Sequence, residues 1–185
     1  MNISPVQLVH LTFHRISVET DTEHYAGATA DSVDAHGMFD GVVIRTGATK
    51  RRIDKEDHRG IPYFLTLRLL IDNEPDPSNP IQKFSPYKVD VEAGGVVIVA
   101  NGADALGDLE DLVTVNGLSL IWGAIREQVA TLTSRMPAGT ALLPSVNFLD
   151  MRKGAEGDAP SSSGREASSD KATKTTSKRT RARKS

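Results

Sequence analysis

Residues 61–71 read IPYFLTLRLLI and decide which kind of fold this chain can adopt. Apolar side chains occupy every second position of the stretch, and a period of two residues is typical of a strand that buries one face. The alternating residues are Ile61, Tyr63, Leu65, Leu67, Leu69 and Ile71. We therefore predict a long β-strand here, with one face against a core.

The first twenty residues predict another strand with an irregularity in it. Apolar residues alternate with polar ones from Val9 to Phe13, and the apolar phase then slips to Ile16 and Val18. Because side chains alternate strictly between the two faces of a strand, a slip of phase indicates a β-bulge or a strong bend. We expect it near Arg15.

Two further strands and their connections complete the β-rich part. Residues 38–46 are rich in β-branched side chains and predict a strand, whereas the highly charged residues 47–60 predict an exposed loop. Residues 72–80 contain three prolines, which predicts a connecting loop. Residues 87–100 predict one strand, or two half-strands, bent at the glycine pair 94–95.

After residue 100 the spacing of the apolar residues becomes helical. Residues 106–113 predict a short amphipathic helix, and a longer stripe predicts a long helix that ends at Pro137 and Gly139. Four strands followed by helices are typical of an α+β fold with an antiparallel sheet. The stripe consists of Leu118, Ile121, Trp122, Ile125, Val129, Leu132 and Met136.

The charge is divided unevenly along the 185 residues. Residues 152–185 contain no Val, Ile, Leu, Met, Phe, Tyr or Trp and carry 10 basic against 4 acidic residues, whereas residues 1–151 carry 12 against 20. We predict a folded domain over 1–151 and a disordered basic tail over 152–185. The tail is suited to an acidic protein, an anionic membrane surface or nucleic acid, or it serves only as a solubilising extension.

The sequence offers no support for an enzyme. It has no cysteine, no phosphate-binding loop and no nucleophile-elbow motif. His10 and His14 would lie about 13 Å apart in a strand, which is too far to chelate one ion. We therefore name no catalytic residue, metal ligand or cofactor. The chain also lacks an apolar run long enough to span a membrane and a signal peptide, so we expect a cytoplasmic protein.

Several segments, in order along the chain, resemble the SecB family of protein-export chaperones. The segments from the C-terminal part are IWGAIRE at 121–127, TSR at 133–135 and LPSVNF at 143–148. Two earlier segments, HRISVE at 14–19 and VDVEAGGV at 89–96, are similar to strands of that family. The resemblance covers about residues 8–150.

The resemblance implies both a fold and a function. SecB proteins have a four-stranded antiparallel sheet, one long helix and one shorter C-terminal helix. They form homotetramers that are dimers of dimers. They bind unfolded client proteins in apolar grooves without ATP and deliver them to the SecA translocation motor. By this resemblance we expect a chaperone of the holdase type that serves protein export.

The same resemblance suggests which residues carry the function. Glu19 and Asp90 match acidic positions that contact the motor, whereas Arg15 reverses the charge at another such position. The reversed charge and the long basic tail favour an alternative, a dedicated SecB-like chaperone of a toxin–antitoxin system. A nucleic-acid-associated protein that acts through its tail is a further alternative. The candidate client-binding residues, each of which could equally be core or tetramer interface, are Ile121, Trp122, Leu142, Leu143, Val146 and Phe148.

Overall fold

The computed structural model describes residues 4–25, 39–55 and 57–152. Within these ranges four antiparallel strands form one sheet in the order β1-β4-β3-β2, and the helical elements follow them along the chain. This confirms the α+β fold with a four-stranded antiparallel sheet and one long helix. The strands are β1 (Val6–Thr20), β2 (Arg45–Arg52), β3 (Gly60–Ile71) and β4 (Tyr87–Ala100).

The two central strands contain most of the core. The odd-numbered side chains of β3 from Tyr63 to Ile71 are buried, as the alternation predicts, and those of β4 from Tyr87 to Val99 lie on the same face. These residues pack against the helical layer, which we take to define the inner face of the sheet. The even-numbered side chains of both strands lie on the opposite, outer face.

The predicted irregularity in β1 is present. The register of β1 against β4 shifts between Phe13 and Arg15, and a second shift lies between Leu8 and His10. Each bulge moves the following apolar residues back to the inner face, so that Leu11 and Ile16 pair with inner-face positions of β4.

Strand β4 runs without interruption through its glycine pair. A Cβ atom at Gly94 would lie 2.8 Å from the ring of His14, and one at Gly95 would lie 2.7 Å from the side chain of Leu8. The side chains of His14 and Leu8 from the paired strand β1 therefore occupy the space that side chains at 94 and 95 would fill. Glycine at these two positions lets β1 pack closely over β4.

The prediction for the second strand was wrong. β2 occupies Arg45–Arg52, most of which was predicted as an exposed loop, whereas 39–44 form turns and a single bridge. All but one residue of β2 is exposed, because this strand lies at the edge of the sheet and pairs only with β3. A strand exposed on both faces needs no alternation of apolar residues, so the hydrophobic pattern did not indicate it.

The helical layer begins after a 3-10 turn (Ala103–Leu106). A four-residue helix, α1 (Leu109–Leu112), is followed by a π-helical turn (Val113–Gly117), and this leads directly into α2 (Leu118–Thr133). Asp108 caps α1, because its side chain accepts a hydrogen bond from the N–H of Asp111. No helix among the described residues is long and apolar enough to cross a membrane.

The predicted short C-terminal helix is absent from the described residues, which end at Arg152. A 3-10 turn (Leu149–Met151) is the helical structure found there, and residues 140–148 have no regular secondary structure. Pro144 lies in this segment and lacks the N–H that a helix interior requires. The predicted basic tail lies, from residue 153 onwards, outside the described residues.

Candidate functional site

Residues 137–148 form a C-terminal strap that runs back along α2. The strap is held by three side chains of α2: Thr133 accepts a hydrogen bond from the N–H of Ala141 (2.8 Å), Arg126 donates to the carbonyl of Leu143 (2.8 Å) and Trp122 donates to the carbonyl of Pro144 (3.0 Å). The partners in the strap are backbone groups throughout. The helix therefore supplies to this segment the hydrogen bonds that a neighbouring strand would supply in a sheet.

The structure places the six predicted client-binding residues around the contact between α2 and the strap. Trp122 and Phe148 meet edge to face with ring centroids 6.4 Å apart. Val146 is exposed and Leu142 is half-buried. Four of the six are almost fully buried in the core of this chain: Ile121, Trp122, Leu143 and Phe148. In this conformation only Leu142 and Val146 offer a surface to a client, and a role in client binding stays a prediction for all six.

A groove with both polar and apolar side chains in its lining lies at the other end of the helical layer, between β2 and the start of α2. Its floor is formed by the buried side chains of Leu65 and Leu118, and the exposed Ala48 and Met151 form its walls. The groove encloses about 220 Å³. Its full lining is Ala48, Thr49, Lys50, Leu65, Thr114, Leu118 and Met151.

One polar cluster lies at the side of the groove. The ammonium group of Lys50 is 2.8 Å from a carboxylate oxygen of Glu110 and donates to the hydroxyl of Thr114, also over 2.8 Å. The hydroxyl of Tyr63 donates to the other oxygen of Glu110 (3.0 Å). Burial and the neighbouring carboxylate raise the pKa of Tyr63. The cluster ties β2 and β3 to α1, which holds the two sides of the groove together.

The pattern of apolar residues did not indicate this groove, because it predicted the second strand at 38–46, whereas β2 occupies Arg45–Arg52. Ala48 and Lys50 pair with Leu67 and Leu65 of β3, which sets their side chains on the inner face. Within residues 47–60 the signal that could have been noticed is a run of charged residues without a proline, which is compatible with an edge strand.

The outer face of the sheet carries the residues predicted to dock the motor. Asp90 lies between two arginines: Arg68 donates to both of its oxygens (2.8 and 2.9 Å) and Arg15 donates to one of them (2.8 Å). These hydrogen bonds, those from Arg68 above all, lower the pKa of Asp90 to about 2. Glu19 lies on the same face and is exposed. The carboxylate of Asp90 is thus already paired with cations of its own chain.

At the end of β1, the carboxylate of Asp21 is bound by hydrogen bonds from other residues of the same chain. One oxygen of Asp21 accepts from Asn73 (2.8 Å) and lies 3.0 Å from the ring of His24, and the other accepts from the N–H of Glu23 (3.2 Å). The ammonium group of Lys88 is 3.4 Å from the same carboxylate. These contacts join β1 to the connection between β3 and β4, so we interpret them as structural.

A larger depression of about 730 Å³ is lined by residues 52–55, 57–58 and 60–62 and by Asn101. Its lining is mainly polar. The carboxylate of Asp57 in this lining accepts two side-chain hydrogen bonds from Arg59 (2.9 and 2.7 Å). The groove beside β2 has the larger apolar share in its lining and lies next to a strand edge that is unpaired among the described residues, so it is the better candidate for binding an extended chain.

Comparisons with known proteins give only weak likenesses, to solved structures. No family model matches the chain, and no curated protein matches it. Among solved structures, the SecB-like chaperone of Mycobacterium tuberculosis, in complex with a ChAD peptide from the antitoxin HigA1, is similar over 76% of this chain and 90% of that chain. The identity is 13% and the TM-score is 0.39, which is too low to decide anything about function.

Proposed function

We propose that this protein is a SecB-like chaperone that holds extended segments of unfolded proteins in the groove beside β2. The observation that carries the proposal is a groove of mixed polar and apolar lining that lies open alongside an exposed strand edge, with the apolar side chains of Ala48 and Met151 on its walls. Such a site suits a polypeptide in an extended conformation. The segments of sequence that resemble SecB support the same function.

Burial of apolar surface supplies the binding energy in this proposal. Full burial of one large aliphatic side chain stabilises a complex by about 1.5–3 kcal/mol, and a client side chain that covers Ala48 and Met151 in this open groove gains only part of that. Ordering an unfolded segment offsets much of that gain. A single groove therefore binds weakly and with little specificity, and a homotetramer would gain affinity by presenting several grooves to one client. No nucleotide is needed for binding of this kind.

Suppression of aggregation tests the proposal. We expect the protein to prevent aggregation of a denatured test protein at near-stoichiometric ratios, and the double variant Ala48→Gln with Met151→Gln to bind about tenfold more weakly, because it makes the walls of the groove polar. Ile81→Gln is the matched control, since Ile81 is 84% exposed and lies in the connection between β3 and β4.

Two outcomes would contradict the proposal in different ways. If the wild-type protein protects none of several denatured clients, the chaperone function is wrong. If the double variant keeps its circular dichroism spectrum and protects as well as the Ile81→Gln control, the function stands and the groove is not its site.

The outer face favours a second candidate, a chaperone dedicated to one partner such as an antitoxin. Arg15 and Arg68 both pair with Asp90, so the carboxylate presents little negative charge to a basic docking partner. Export through SecA therefore has weaker support than chaperoning itself. Calorimetric titration with purified SecA separates the two: binding that Glu19→Gln weakens favours export, and no binding at low salt favours the dedicated chaperone.

A further inference from the structure

The outward edge of β2 is open for pairing. The N–H of Ile53 donates to the carbonyl of Pro62, which fixes the alternation of the hydrogen bonds between β2 and β3. By this alternation the N–H and C=O groups of four residues point away from the sheet: Thr46, Ala48, Lys50 and Arg52. In the described part of the chain, no strand pairs with this edge.

The two edges of the sheet differ in regularity. β1 carries two shifts of register, which twist an edge and make it a poor template for another strand. β2 pairs with β3 over eight consecutive residues with no shift. An added strand would therefore find a regular template along β2 and not along β1.

The positive charge of β2 favours an acidic partner. The strand contains Arg45, Lys50, Arg51 and Arg52 and no acidic residue, although residues 1–151 as a whole are acidic. Arg45 pairs with Asp72 and Glu74, and Lys50 pairs with Glu110. Arg51 and Arg52 are exposed, and no ion pair joins either of them to a carboxylate among the described residues.

The groove adds a requirement for apolar side chains. Ala48 and Lys50, whose backbone groups point outward, also line the groove, so a strand paired with β2 would set every second side chain above it. Directly opposed side chains of paired strands have Cβ atoms about 4.5–5.5 Å apart. Carboxylates of an added strand would thus meet Arg51 on the outer face and Arg52 on the inner face.

We propose that β2 binds an acidic, extended segment of a client as a fifth strand, with apolar side chains in the groove and carboxylates against Arg51 and Arg52. The proposal rests on the chaperone function given above and specifies the chemistry of the segment that is bound. Charged side chains on an edge also prevent unwanted strand pairing. If that were their only role, an acidic peptide would bind no better than a neutral one.

Three short peptides test the charge preference. Each has about nine residues, the length of an average strand and its flanks, and alternates valine with glutamate, glutamine or lysine. The same polar residue also replaces the terminal valine on the inner face, so that it can reach Arg52 as well as Arg51. We expect fluorescence anisotropy to show that the glutamate peptide binds about tenfold more tightly than the lysine peptide at low salt. The difference should shrink in 1 M NaCl, where the Debye length is about 3 Å.

A charge-reversal variant tests the residues. The double variant Arg51→Glu with Arg52→Glu should prefer the lysine peptide, and this gain of binding shows that the variant is folded. Lys83→Glu with Arg135→Glu is the matched control, because it changes the net charge equally at two exposed residues away from β2. The control should keep the preference for glutamate.

Hydrogen exchange tests the pairing itself. Binding of the glutamate peptide should slow exchange of the amide protons of Thr46, Ala48, Lys50 and Arg52, and leave the alternate amides of β2 unchanged because β3 already protects them. If the three peptides bind with equal affinity, or if the peptide slows exchange only of amide protons outside β2, the strand-addition proposal is wrong. The aggregation assays still decide separately whether the protein is a chaperone. If both the peptide assays and the aggregation assays give negative results, the strand-addition proposal and the chaperone function are both wrong.

Discussion

At the scale of single residues, Asp90 shows how the structure changes the meaning of a matched position. The sequence places an acidic residue where the SecB family has one, and this suggested docking of a basic motor. The structure surrounds that carboxylate with Arg15 and Arg68 from neighbouring positions on the outer face. The identity of a residue could be compared from the sequence, but its pairing depends on the register of three strands.

Asp90 also predicts a dependence of stability on pH. Its pKa is about 2 in the folded chain and near the ordinary 3.8 when unfolded, so its pairing stabilises the fold fully above pH 4. That stabilisation disappears as the pH falls from 4 towards 2. We expect Asp90→Asn to lower the urea midpoint at pH 7 and to match the wild type near pH 2. An equal difference at both pH values would contradict this prediction.

At the scale of elements, the strands with a buried face were predictable and the edge strand was not. β3 buries alternate side chains on its inner face, and its alternation was visible in residues 61–71. The bulge in β1 was visible as a slip of phase. β2 is held by backbone pairing with one neighbour and by the contacts of Lys50, and neither leaves a hydrophobic pattern.

The π-helical turn depends on a glycine that packing requires. A Cβ atom at Gly117 would collide with the buried side chain of Leu65, whereas one at Gly123 would meet nothing within 4 Å. We expect Gly117→Ala to destabilise the fold by about 1–3 kcal/mol through overpacking. Gly123→Ala, the matched control on the exposed side of α2, should stabilise it by about 0.5–1 kcal/mol.

Chemical denaturation followed by circular dichroism measures both glycine variants. The expected result is a shift of the two midpoints in opposite directions. If Gly117→Ala is as stable as the wild type, Leu65 moves aside without cost, and the contact between β3 and the π-helical turn is looser than the structure indicates.

At the scale of the whole molecule, the groove could not be predicted from local patterns in the sequence. Its residues come from β2, β3, the helical layer and the 3-10 turn near residue 150, which are far apart along the chain. The long helix and the strap residues were predicted as a functional cluster, but the chain uses most of them in its own core. Periodicity identifies buried faces, and it does not say whether the partner is the chain itself or another molecule.

The proposed homotetramer predicts the mass of the particle in solution. Apolar side chains such as Ile16 and Leu120 are more than 40% exposed in the single chain, and assembly would cover part of this surface. We expect light scattering after size exclusion to give about four times the chain mass of 19.9 kDa. A monomer at all concentrations would contradict the tetramer and leave each client a single groove.

The strap has a consequence for which sequence changes this protein tolerates. Since Trp122 and Arg126 recognise carbonyl groups, the exposed strap residue Ser145 is free to vary in chemical type, whereas Asn147 accepts a hydrogen bond from the N–H of Leu149 (3.1 Å). The spacing between those carbonyls is not free, because an insertion or deletion would misalign every later bond with the helix. Among homologues, the exposed positions of the strap should therefore vary more than buried ones such as Leu143 and Phe148, while the length of the strap stays constant.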